Sequence, residues 1–172
     1  MSALRDVAIP IERYTVPDAL IAATGDARIV MLGEATHGTS EFYAMRAAIS
    51  QRLISEHGFC AIALEADWPD VHRVARYVSG DGDDPNAQTA LEEFQRFPSW
   101  MWRNSEFVAF VEWLKYYNVE AQSRCTLLGM DLYSLHRSMS AVISYLEWQA
   151  PELAQRARER YACFDPAGGR GD

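Results

Sequence analysis

The chain has 172 residues, 49% of them hydrophobic and 12% aromatic, and a formal net charge of −8. Length and composition exclude a disordered chain and admit one domain with a sizeable core. The acidic balance, with no run of basic residues, argues against a nucleic-acid surface or a basic membrane footprint and favours a small-molecule partner.

Residues 1 to 16 read as an irregular arm, with Pro10 and Pro17 as punctuation. The arm has no apolar signal region, and no segment approaches the roughly eighteen apolar residues of a membrane span, so a soluble, cytoplasmic protein is expected. A short helix over Asp18 to Ala23 ends at Gly25. The next stretch, RIVMLGEATHGTSEFYAMR from Arg28 to Arg46, organises the rest. Ile29 to Leu32 are too few for a helix and predict a strand buried on both faces of a parallel sheet, ended by Gly33. Thr36, Thr39 or Ser40 can cap a helix that carries Phe42, Met45, Ile49 and Leu53 on its apolar face and stops at His57-Gly58. Glu34 and His37 therefore fall in the connecting loop, where open α/β sheets bind ligands.

Phe59 to Leu64 predicts a second strand, ended by Glu65; a right-handed crossover would make the two strands parallel neighbours. Their carboxyl ends would then bring Glu65 and Asp67 beside Glu34 and His37. Pro69 opens a helix through Val71, Val74, Ala75 and Val78, and Ser79 to Asn86 reads as a surface loop. That loop lacks the spaced ligands of an EF-hand and carries Pro85. A helix over Thr89 to Phe97 leads to Pro98, Ser99, Trp100, Met101 and Trp102, an aromatic patch that could line a pocket or pack in the core. Asn104 or Ser105 caps a helix bearing Phe107, Phe110, Val111 and Leu114. Cys125 to Met130 predicts a third strand, ended by Asp131, and helices follow over Leu135 to Trp148 and Pro151 to Phe164.

The predicted fold class is thus α/β, a parallel-strand sheet core wrapped by helices, and so small a sheet reads as the front part of a larger domain. Cys60, Cys125 and Cys163 are far apart and form no CxxC, so neither disulfides nor zinc are expected; Cys60 and Cys125, inside apolar runs, should behave as small hydrophobes. No GxSxG elbow, GxGxxG or P-loop occurs. What remains is Glu34 and His37, with Glu65, Asp67 and Asp131 at the other strand ends. An imidazole can take a proton from water while a carboxylate fixes its tautomer, which describes a general-base hydrolase. Arg46 could order the carboxylates or hold a substrate oxygen. A solvated salt bridge has the same spacing, and a metal site of one imidazole and several carboxylates would use the same residues, although HExxH is absent.

Three motifs, GEATHGTSEFYAMR, ALEADWPD and LLGMDLYSLHRS, resemble the erythromycin esterase family, and together they span most of the chain from Arg28 to about Phe164. The resemblance implies residues 1–164 as the N-terminal part of such a domain, with 165–172 (DPAGGRGD) as a flexible tail. It implies hydrolysis of a macrolactone or related ester without metal or other cofactor. In that mechanism His37 activates water, Glu34 and Glu65 position or polarise it, and Arg46 supports the site; Asp67, Trp100 and Asp131 are candidate substrate contacts. Family members are longer than this chain and bring a second essential His from their second half, a role that no His here is assigned. A noncatalytic ligand-binding module and a metal-dependent hydrolase are the alternatives.

Overall fold

A computed structural model describes residues 8–11, 15–96 and 98–164. The expected tail and most of the expected N-terminal arm lie outside them. In chain order the elements are α1 (Asp18–Ala22), α2 (Ser40–His57), β1 (Ala61–Asp67), α3 (Trp68–Ser79), α4 (Ala87–Ala90), a 3-10 turn (Ser99–Met101), α5 (Ser105–Glu120), β2 (Thr126–Asp131), α6 (Leu135–Gln149), α7 (Pro151–Tyr161) and a closing 3-10 turn (Ala162–Phe164). The class is α/β, with β1 and β2 paired in a parallel two-stranded sheet. Among the described residues no helix is long and apolar enough to cross a membrane.

These residues group into two compact units. The first comprises the described residues up to Ile62 together with Arg73–Leu127; the second comprises Ala63–His72 and the residues from Leu128 onward.

In the first unit, α2 turns Ile49 and Leu53 onto Val16 and Ile21, with Leu20, Val30, Leu32, Met45, Ala48 and Phe59 around them. Helix α2 also packs against α5, whose Phe107, Phe110, Val111 and Leu114 recur at three and four and are buried as one stripe. Asn104 caps α5 by accepting the Phe107 N–H at 2.8 Å, an interaction worth about 1 kcal/mol. Two residues before its end, α5 buries Asn118. This amide donates to the carbonyls of Val78 and Cys125 at 3.0 and 2.9 Å and accepts the Cys125 N–H at 2.8 Å, which pins the entry to β2. Every hydrogen-bonding direction of the amide that is used goes to backbone, so burial costs little. In the second unit α6 and α7 pack together, burying Met139 and Ala154, and Pro151 opens α7 at its first position as expected.

Several expectations need correction. Ile29 to Leu32 do not form a strand: the segment is extended but unpaired, with Val30 and Leu32 turned onto the α2 cluster and Ile29 and Met31 exposed by 80% and 91%. Burial there alternates instead of covering both faces, and none of the described strands hydrogen-bonds to it. Hence the sheet has two described strands where three were expected. β1 starts later than Phe59 and runs through Glu65 to Asp67. The expected helix over Thr89 to Phe97 closes after Ala90, where i to i+3 bonds from Glu92 to Thr89 and from Phe94 to Leu91 tighten the chain into turns. Cys60 is exposed, not core; Cys125 is buried, and that burial pushes its thiol up to about 12. Of the aromatic patch, Trp102 is core, edge-on to Tyr43 and Phe107, whereas Trp100 is half exposed.

Candidate functional site

The loop between the extended segment and α2 carries Glu34 and His37. Oε1 of Glu34 meets Nδ1 of His37, while Oε2 forms an ion pair with Nη2 of Arg46 at 2.8 Å. The carboxylate is thus bridged, each oxygen used once. Its side chain is only 7% exposed, and a carboxylate taken so far out of water requires a compensating charge, which Arg46 supplies. His37 is 44% exposed. With Nδ1 turned to the carboxylate, Nε2 is the nitrogen left to accept a proton from outside; that tautomer follows from the hydrogen-bond partner.

Two clamps hold this loop. Ser40, the first residue of α2, donates its hydroxyl to Glu106 in the first turn of α5 at 2.6 Å, and this bond, with Ser105 and the backbone, lowers the Glu106 pKa. Gly38 has a φ of +81°, a left-handed conformation suited to glycine, and a Cβ there would stand 2.7 Å from the Trp100 ring. The indole therefore lies directly on the loop backbone next to His37. Asn104 ties the Trp100 segment down in turn, donating to the Met101 carbonyl at 2.9 Å.

One residue of this site is missing from the sequence reading. Tyr43 is 5% exposed, stands edge-on to Trp102 at 6.4 Å, and carries the Arg46 guanidinium over its ring at 4.7 Å. Burial raises the Tyr43 pKa first, the Glu34 charge adds to this, and the Gly38 backbone and Arg46 act in the opposite direction. The signal was present: an aromatic residue three positions before an arginine on one helix face is the spacing for a ring-cation pair.

In the second unit Asp67 and Asp131 close the two parallel strands, and Glu65 lies two residues before the end of β1. Asp67 is buried and accepts the Ser134 N–H at 3.1 Å, holding the start of α6. Arg137 pairs with buried Asp70 at 2.9 Å. Asp131 has its pKa raised from 3.8, by burial first and then by the charges of Glu65 and Asp67. The folded state consequently keeps this proton to higher pH than the unfolded chain, so stability is fully present below 3.8 and declines as pH rises through the folded value. Asp131→Asn is expected to raise the urea midpoint at neutral pH and to leave it unchanged in acid, and denaturation of both proteins across that range checks this. Among the described residues no three His, Cys, Asp or Glu side chains are grouped so that they could hold a metal ion.

The structure therefore brings Glu34, His37, Arg46 and the Trp100 contact to one loop, and Glu65, Asp67 and Asp131 to one pair of strand ends. The erythromycin esterase family model matches residues 54–172. Erythromycin esterase type II of Escherichia coli is 28% identical over 123 residues, 72% of this chain and 28% of its own length. Erythromycin esterase type I of the same organism is 30% identical over 115 residues, 67% of this chain and 26% of its own. Among solved structures, a succinoglycan biosynthesis protein superposes with a TM-score of 0.75 at 26% identity, covering 98% of this chain and 43% of that one. The chain thus spans about a quarter of the length of the curated relatives it matches.

Proposed function

The chain belongs to the erythromycin esterase family, and from that premise we propose that it forms part of a carboxylic ester hydrolase working through His37 on a macrolactone or related ester. The bridge from His37 through Glu34 to Arg46 is the observation that carries this reading. Nε2 of His37 takes a proton from water as the water oxygen bonds to the acyl carbon. Glu34 stabilises the imidazolium so formed, and Arg46 pairs with the other carboxylate oxygen without competing for His37. When the acyl carbon–alkoxy oxygen bond breaks, the imidazolium proton goes to the departing alkoxide, giving acid and alcohol. On the family resemblance alone, Glu65 is assigned to position or polarise the water, and Asp67, Asp131 and Trp100 are the candidate substrate contacts.

Incubating the protein with a macrolactone in isotopically heavy water tests the reading by mass spectrometry. The expected product is the ring-opened acid with one heavy oxygen in its carboxylate, formed with or without a chelator. Glu65→Gln is expected to slow its formation by about tenfold to a thousandfold, the range for losing one positioned polar group in a hydrolytic site. Thermal stabilisation by the lactone with no product would establish a binding module instead. Product lost on chelation and restored by a divalent ion would establish the metal-dependent alternative.

A further inference from the structure

Arg46 reaches Glu34 through a long, rotatable side chain and one ion-pair contact at 2.8 Å, with its guanidinium partly exposed. Such a contact does not fix the guanidinium plane by itself, because an arginine side chain has many rotamers and a single-point ion pair tolerates several of them. Something else must choose the rotamer. Beneath the guanidinium lies the Tyr43 ring, 4.7 Å from the Arg46 Cζ, and this ring is immobilised by burial and by its edge-on contact with Trp102 at an interplanar angle of 86°. Tyr43 and Arg46 are one helical turn apart on α2, so the helix sets the height of the cation above the ring. The tyrosine hydroxyl is buried without a full hydrogen bond, lying in the field of Glu34, Arg46 and the Gly38 backbone together. The ring is thus inside the site, not merely below it.

We propose that Tyr43 is the positioning residue of this site: its π face seats the Arg46 guanidinium so that Arg46 meets Oε2 of Glu34 and leaves Oε1 to His37. The seat is a property of the folded chain, and its bearing on turnover rests on the ester hydrolase reading above. Electron density on the ring face is what a cation requires, so the effect follows ring electronics and not side-chain volume.

The closing experiment reads Arg46 directly, by nuclear magnetic resonance of the full chain labelled with nitrogen-15 in arginine. In the unmodified protein the Arg46 Nε–H signal is expected to stand away from those of exposed arginines, shifted by the ring current. Tyr43→Phe keeps the seat and should preserve that shift; Tyr43→Leu removes it and should move the signal to the exposed-arginine position. A fluorinated phenylalanine series at position 43, which drains the ring face while keeping its shape, gives the same readout if the leucine variant fails to fold. Progressive loss of the shift with fluorination supports the seat, and a flat series overturns it. Where ester turnover is measurable, kcat should fall about tenfold in Tyr43→Leu with KM little changed, and Tyr43→Phe should restore it. A shift that responds as stated in a protein without ester turnover would retain the seat and reject the hydrolase.

Discussion

His37→Asn is expected to reduce ester hydrolysis by about a thousandfold, within the span that a positioned general base contributes, while the thermal midpoint stays the same. Both halves of that expectation come from the loop geometry. Asparagine has an amide near the place of Nδ1 and can still answer Oε1 of Glu34, but it offers nothing basic where Nε2 stood. His37 is also 44% exposed, so the fold does not depend on burying its ring. The loop keeps its other supports: Ser40 on Glu106 at 2.6 Å, and Trp100 on Gly38. Turnover retained together with an unchanged melting curve would remove His37 from the role of base. A fall in the midpoint would instead show that the imidazole organises the Glu34 carboxylate during folding.

The Glu34–His37 contact was legible because the two residues stand three apart in one short loop, a span over which their side chains can meet. Arg46 was legible as a charge, but not as a charge with a seat. Tyr43 falls outside the apolar set that the spacing gives, Phe42, Met45, Ile49 and Leu53, whereas the buried set is Tyr43, Ile49, Leu53 and Ile54, so that the two share only Ile49 and Leu53. A tyrosine hydroxyl lowers a residue's apparent hydrophobicity without preventing its ring from being buried. For Ile29 to Leu32 the failure lies elsewhere. Periodicity reports an extended chain with an apolar preference, but a strand also requires a neighbour for its backbone groups, and that is a property of the whole sheet. The two tryptophans differ for a similar reason: Trp102 enters a cluster made by α2 and α5, which local sequence does not reveal, and Trp100 stops at the surface of the Gly38 loop.

Gly129→Ala is expected to cost about 3 kcal/mol, the upper end of what forcing extra atoms into a packed interior usually costs, and to lower the thermal midpoint by roughly 10 °C for a chain of this size. Gly129 lies within β2, a strand whose residues Leu127 to Met130 otherwise carry large side chains. A Cβ at position 129 would lie 2.7 Å from the Trp68 Cα, 2.8 Å from the Ala66 carbonyl oxygen and 2.9 Å from the Asp67 carbonyl oxygen. All three are backbone atoms at the end of β1 and the start of α3, so no side chain can rotate to relieve the overlap. The strand must move instead. Moving β2 away from β1 would also separate Asp131 from Glu65 and Asp67, whose charges help to raise its pKa, so the Asp131 pKa should fall toward its ordinary value in whatever fraction remains folded. Gly33→Ala is the control, because a Cβ there meets nothing within 4 Å, and its unfolding free energy is expected to stay within about 0.5 kcal/mol of the parent's. Equal urea midpoints for the two variants would mean that β2 yields cheaply at its carboxyl end, and the close approach of the two strands would then not be what fixes Asp67 and Asp131 in place.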